Sequence, residues 1–277
     1  MKEFVHLHVH SHYSLLDALP KVDELVETAK KRGFSALALT DHGNMYGAIE
    51  FYQECEKNGI KPIIGVEAYV VTGSRLEKNE DQKPHHLVLL ALNMTGYKNL
   101  IKLVSISQTE GFFVRPRMDK EILRQYHEGI VALSGCFSSE LARAIRKDNN
   151  WEKAKEIALE YENIFGKENY YLEMLDLPTL DGQAEYNANL IKLSKETGVP
   201  LVVTRDSHYL ETDDAEAQDI LTCIRDGKTL EDGNRMSYAS IDSSFCGADD
   251  VWERFSHIPE ALENTVKIAA RVDLKLE

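Results

Sequence analysis

The stretch Phe4–Asp17, FVHLHVHSHYSLLD, sets His6, His8, His10 and His12 at every second position and then ends on a carboxylate. Alternate side chains of an extended strand share one face, so these imidazoles would line one side of it. An isolated His-x-His is more often a half-exposed strand that happens to be rich in histidine. Here similar residues recur further along, each time just after an apolar run. Neutral imidazole is also the commonest metal ligand in proteins.

Outward from that stretch the pattern alternates. Lys21–Lys31 carries Val22, Leu25, Val26 and Ala29 at helical spacing behind Pro20. Ser35–Thr40, SALALT, is a short buried strand running into Asp41 and His42, and Met45–Lys57 is the next helix. Lys61–Val71, KPIIGVEAYVV, is a strand with Glu67 in its apolar middle; Thr72–Pro84 is a polar loop; His85 and His86 lead into the strand LVLLAL. A helix follows over Tyr97–Gln108, and Glu110–Asp119, EGFFVRPRMD, reads as a surface loop. Gly129–Ser134 is a strand delivering Cys136. Helices are predicted over Ser139–Lys147, Trp151–Phe165 and Gly182–Thr197, with strands at Asn169–Met174 and Pro200–Thr204. The last strand runs into Arg205, Asp206, Ser207 and His208; beyond Asp213 the chain is helical, closing with Pro259–Arg271.

Seven strands alternating with helices imply parallel pairing and closure into a barrel. The reacting groups of such barrels gather where the strands end, and SALALT, GIVALS and PLVVT each deliver candidates there. The length of 277 residues suits one such domain, a barrel over about 3–212 with a helical extension over about 213–277. Hydrophobic residues make up 43% and charged ones 28%, and no apolar run approaches a membrane span. The start, MKEFVHLH, lacks a secretory h-region, and Cys55, Cys136, Cys223 and Cys246 form no CxxC pair. A cytoplasmic location is therefore expected. The net charge of −14 disfavours non-specific DNA binding, so phosphate chemistry would need bound cations or a basic neighbour.

At one rim the barrel would collect His8, His10, Asp17, His42, Glu67, His86, Cys136, Asp206 and His208. A single ion takes about four to six ligands, so this set suits two or three cations, with Glu67 or Asp206 as bridging carboxylates. Mixed imidazole, carboxylate and thiolate donors favour zinc, manganese or iron over magnesium or calcium. An unpaired carboxylate in an apolar strand costs several kcal/mol, so Glu67 calls for a cation. Asp41 is either a turn residue or a partner orienting His42 from behind. His86 is preferred over His85 only weakly, because it adjoins the apolar run. Cys136 as an inert buried thiol remains open. His6 reads as a core histidine, and His12, His127 and His257 as surface or loop residues.

Six blocks carry a resemblance: HLHVHSHYSLLD, ALTDHGNMYGAIEFY, KPIIGVEAYV, HHLVLLALNMTGYKNL, GIVALSGCFSSELA and TRDSHYL. Together they resemble the PHP (polymerase and histidinol phosphatase) domain found at the N-terminus of bacterial DNA polymerase III alpha subunits. The resemblance implies an α/β fold, a distorted (β/α)7 barrel with a C-terminal helical extension, holding up to three metals. It places ligand roles on the same nine residues, none of which is missing.

Clustered divalent cations suit phosphoester hydrolysis. The resemblance thus implies a metal-dependent phosphoesterase, a 3′–5′ exonuclease on single-stranded DNA, with Asp206, His208 and Glu67 as catalytic residues. Arg115, Arg117 and Arg205 are the candidates for phosphate contacts. The remainder of a longer polymerase chain, a DNA-directed DNA polymerase, is an implied partner, and a separate proofreading exonuclease subunit is another. Two alternatives stay open: a metal-stiffened scaffold without catalysis, and a histidinol-phosphatase-like phosphomonoesterase.

Overall fold

The computed structural model describes residues 2–276 apart from 236, 238 and 239. Its strands are β1 (Ala36–Leu39), β2 (Lys61–Val71), β3 (His85–Ala91), β4 (Arg117–Asp119), β5 (Ile130–Leu133), β6 (Tyr170–Leu175) and β7 (Leu201–Thr204). They form one curled sheet in the order β1-β2-β3-β5-β6-β7, with β4 on β2. Apolar side chains of the strands and of the covering helices make one continuous core. β1, β5, β6 and β7 are buried throughout, which is why they read as unbroken apolar runs.

Pairing is not wholly parallel. β1–β2, β5–β6 and β6–β7 are parallel, but β3 runs antiparallel to both β2 and β5. The reason lies in the polar loop over 72–84: it carries no crossover helix, so the chain returns beside β2 in the opposite direction. This reversal brings the start of β3, with His85 and His86, to the rim where the neighbouring strands end.

The histidine-rich stretch is extended but forms no strand. His6 bridges Leu37 of β1 and Val9 bridges Ser207 beyond β7, both in parallel. Within four residues its partner changes, so no ladder develops. Thr40 supplies the missing ladder bonds, its Oγ1 accepting from Val9 N at 2.9 Å and donating to Val9 O at 3.0 Å. The segment thereby fills the seam between β1 and β7.

Glu110–Asp119 is not simply a surface loop, since β4 adds to β2 at Tyr69–Val71. The short helix Lys120–Gln125 lies outside every expected element, whereas Ala248–Arg254 falls in the stretch beyond Asp213 expected to be helical. The last helix, Pro259–Arg271, seals the far side: Asn264 donates to Leu201 O at 2.7 Å and Thr265 Oγ1 accepts from Val5 N at 3.1 Å. Among the described residues, no helix is long and apolar enough to cross a membrane.

Candidate metal centre

Glu67 is the middle of the site. It is 1% exposed, and β2 aims its carboxylate at four imidazoles. Its Oε2 lies 2.6 Å from His42 Nδ1 and 3.5 Å from His10 Nε2; its Oε1 lies 2.8 Å from His86 Nδ1 and 3.4 Å from His8 Nε2. Asp206 faces the same space, with Oδ1 at 3.3 Å from His8 Nε2 and 3.1 Å from His10 Nε2. Asp17 reaches His42 Nε2 at 2.9 Å, and Cys136 Sγ stands 3.5 Å from His86 Nδ1. His208 stacks on His10 with ring centroids 4.5 Å apart. All nine residues named from the sequence thus converge. His85 does not, because alternation turns it to Ser138 O.

Among the described residues, three trios place donor atoms within 4.8 Å of one another: His10, His42 and His208; His8, His10 and Asp206; His42, Glu67 and His86. Each trio has the spacing of ligands around one cation. The same atoms are left short of partners: His8 Nε2, His10 Nε2, His42 Nδ1, Glu67 Oε2 and Asp206 Oδ1 are buried without a hydrogen bond of proper geometry. Buried polar atoms are nearly always satisfied, and here five orphans point at one space. The donor set fits two or three divalent cations.

Electrostatics agree. Burial opposes charge on Glu67, but His86, His42 and His8 hold its carboxyl well below the usual range. Burial likewise opposes charge on His8 and His42. The carboxylates outweigh it, Asp206, Glu173 and Glu67 at His8 and chiefly Glu67 at His42, and raise both. His10 goes the other way, to about 3, through burial and then the neighbouring His42 and His208. Burial, then Glu67 and Asp206, push the Cys136 thiol well up. Asp206 also sits at φ 53°, a left-handed conformation uncommon outside glycine, asparagine and aspartate.

A second layer aims the imidazoles. His8 Nδ1–H donates to Glu173 Oε1 at 2.7 Å, leaving Nε2 toward the centre. Ser14 donates its hydroxyl proton to Asp41 at 2.7 Å, so its oxygen accepts from His10 Nδ1–H at 3.0 Å. Asp41, which also accepts from Ser11 N and Oγ, therefore steadies His10 through Ser14, whose oxygen also accepts from the His42 amide at 3.1 Å. His6 is fully buried at the closed side of the seam, 3.0 Å from Cys246 O. His12 lies in a turn, half-buried against Tyr13, in keeping with a surface or loop residue.

Two of the three arginines proposed for phosphate contacts are corrected. Arg117 is 1% exposed, its guanidinium donating to the carbonyls of Gly111, Glu77 and Arg75. Arg205, equally buried, is held by Asp176, Asp242 and Ser244 O. Neither presents charge to a substrate. Arg115 is exposed and lies 5.6 Å over the Tyr69 ring, which stands beside His42 and His86. Sequence reasoning missed Glu173, although a carboxylate in the apolar run YYLEML is the signal that exposed Glu67. It also missed Arg225, whose guanidinium pairs with Asp17 from the helix Ala215–Asp226; no local pattern marks a partner so distant in the chain.

Comparison with known proteins identifies the family. The PHP domain family model matches residues 6–176, more than half of the chain, and the chain belongs to that family. It is 46% identical over 273 residues to the DNA polymerase III subunit alpha of Borreliella burgdorferi, covering 98% of this chain and 24% of that protein. The Treponema pallidum subunit alpha is 43% identical over 276 residues, covering 99% of this chain and 23% of that protein. The chain thus spans about a quarter of the length of these curated relatives. Among solved structures, an amidohydrolase from Chromobacterium violaceum aligns with a TM-score of 0.49 at 16% identity, over 74% of this chain and 87% of that one.

Proposed function

We propose that this chain is the PHP domain of a bacterial DNA polymerase III alpha subunit and acts as a metal-dependent phosphoesterase, a 3′–5′ exonuclease on single-stranded DNA. The observation that carries the reading is the set of five buried ligand-type atoms that face one space without a well-formed hydrogen bond. Divalent cations held there supply the Lewis acidity that phosphoester hydrolysis needs. Glu67, His8, His10, His42 and His86, with Cys136 and Asp17, would hold these cations. The open side of the site, from which a phosphodiester would approach, is formed by His86, Asp17 and Asp206, whose side chains keep 19, 17 and 14% exposure, while His208 Nδ1–H donates to Asp206 O at 2.9 Å. Arg115 and the Tyr69 ring line the same mouth and would receive the DNA backbone.

A scaffold role is the second reading, favoured by the net charge of −14, which gives DNA little basic surface on this chain. One experiment separates the two. The protein is loaded with zinc, manganese or iron and assayed for nucleotide release from a 3′-labelled single strand. Hydrolysis that requires the added metal and is abolished by Asp206→Asn supports the exonuclease. Full metal occupancy with no hydrolysis overturns it and leaves the scaffold, in which the domain supports the remaining polymerase chain or docks a proofreading exonuclease.

A further inference from the structure

Behind the imidazoles, three segments that carry candidate ligands meet on one carboxylate. Glu173, in the middle of β6, is wholly buried, and each of its oxygens is used. Oε1 accepts from His8 Nδ1–H at 2.7 Å and from the Thr204 hydroxyl at 2.5 Å. Oε2 accepts from the Gly135 amide at 2.9 Å. Its own amide is anchored to Ser134 Oγ at 2.9 Å. These are the histidine-rich seam, the turn that presents Cys136, and the end of β7 two residues before Asp206.

We infer that Glu173 is the positioning residue of the centre, setting which His8 nitrogen faces the cations and fixing Cys136 and Asp206 relative to it. The inference rests on the reading of the site as a metal centre but not on its catalysing hydrolysis. The chemistry is specific to a carboxylate. A histidine ligand binds through one nitrogen only if the other keeps its proton, and an acceptor behind it selects that tautomer and raises the basicity of the ligand. Glutamine in the same place could still accept from His8 and Thr204. Its amide nitrogen would then meet the Gly135 N–H donor to donor, so the Cys136 turn would lose its anchor. Glycine is required at 135 itself: φ is 84°, and a Cβ would lie 2.5 Å from His86 O.

The test uses the 277-residue chain, stripped of metal and titrated with Zn²⁺ against a chromophoric chelator. Glu173→Gln is expected to retain the far-UV circular dichroism of the wild type and to bind Zn²⁺ about 10–100-fold more weakly, the usual effect of losing such an outer partner. Thr204→Val, which removes one donor and no charge, serves as the milder variant if Glu173→Gln fails to fold, and is expected to weaken Zn²⁺ in the same direction. Long-range ¹⁵N–¹H spectra of the zinc-loaded wild type should show the His8 proton on Nδ1. A folded Glu173→Gln or Thr204→Val with wild-type Zn²⁺ affinity overturns the assignment. So does a His8 proton found on Nε2, or an affinity loss accounted for by the unfolded fraction alone. If zinc-loaded wild type hydrolyses no DNA while Glu173→Gln still weakens Zn²⁺, the exonuclease reading falls and the role of Glu173 stands.

Discussion

Glu67 Oε2 lies 2.6 Å from His42 Nδ1 across the bridge that extends β1 onto β2. Two backbones locked in register thus hold a carboxylate and an imidazole side by side at the middle of the site. Because Glu67 touches donors from three other segments, Glu67→Gln should lower the number of zinc ions bound per chain while the helical signal stays intact. Elemental analysis after gel filtration gives the number. An unchanged zinc content in Glu67→Gln would remove Glu67 from the ligand set.

Removal of metal should destabilise the fold. A ligand present at about a hundred times its Kd contributes about 2.7 kcal/mol, and in a domain of this size that corresponds to roughly 5–10 °C in Tm. Calorimetry of metal-loaded protein with and without chelator should show a fall of that order, reversed by adding zinc. Identical transitions in both conditions would argue that the cluster holds no ion in the native state.

Arg117 and Arg205 are predicted to matter for stability and not for substrate. Arg117→Ala strips charged donors from three backbone carbonyls, and hydrogen bonds to charged groups contribute about 1.5–3 kcal/mol each. A loss of roughly 3 kcal/mol in denaturant unfolding is expected, with zinc content unchanged. If Arg117→Ala instead unfolds like the wild type and weakens only oligonucleotide binding, the residue belongs to the DNA surface after all.

Asp242 gives the pH dependence a definite sign. Burial pushes its carboxyl pKa up, but Ser244 and the Arg205 guanidinium, 2.7 Å away, outweigh burial and hold it below the ordinary aspartate value. A depressed native pKa stabilises the fold above the unfolded pKa, and that contribution disappears as pH falls through the native one. The Tm gap between wild type and Asp242→Asn should therefore be widest near neutrality and close below about pH 4. A gap that widened in acid would contradict the pairing.

Much of this arrangement was legible in the sequence where the signal is local. Lys61–Val71, Trp151–Phe165 and Pro259–Arg271 were bounded correctly because apolar spacing, Gly166 and Pro259 mark them within a few residues. Glu67 stood out because a carboxylate in an apolar strand demands a partner. What escaped was decided by pairing across the chain. The reversal of β3 depends on a loop without a crossover, β4 depends on the edge that β2 leaves open, and the burial of Arg117 depends on carbonyls 6 to 42 residues away. Composition saw an arginine-rich loop and could not see those acceptors. His8, Asp206 and their neighbours were nameable one by one, whereas the orienting roles of Glu173 and Ser14 exist only in three dimensions.

The seam that residues 4–10 fill has a mechanical consequence. Isolated bridges, a few backbone hydrogen bonds and the hydroxyls of Thr40 and Thr265 hold it, yet it delivers His8 and His10 to a cluster otherwise built from residues 17 to 208. Cations bound there would act as a clasp, fastening the first turn of the chain to its last strand. In metal-stripped protein the amides of Leu7 to His10 should exchange with deuterium far sooner than those of β6, and zinc should bring the two rates together. A protease that nips the amino terminus only after chelation would report the same unfastening.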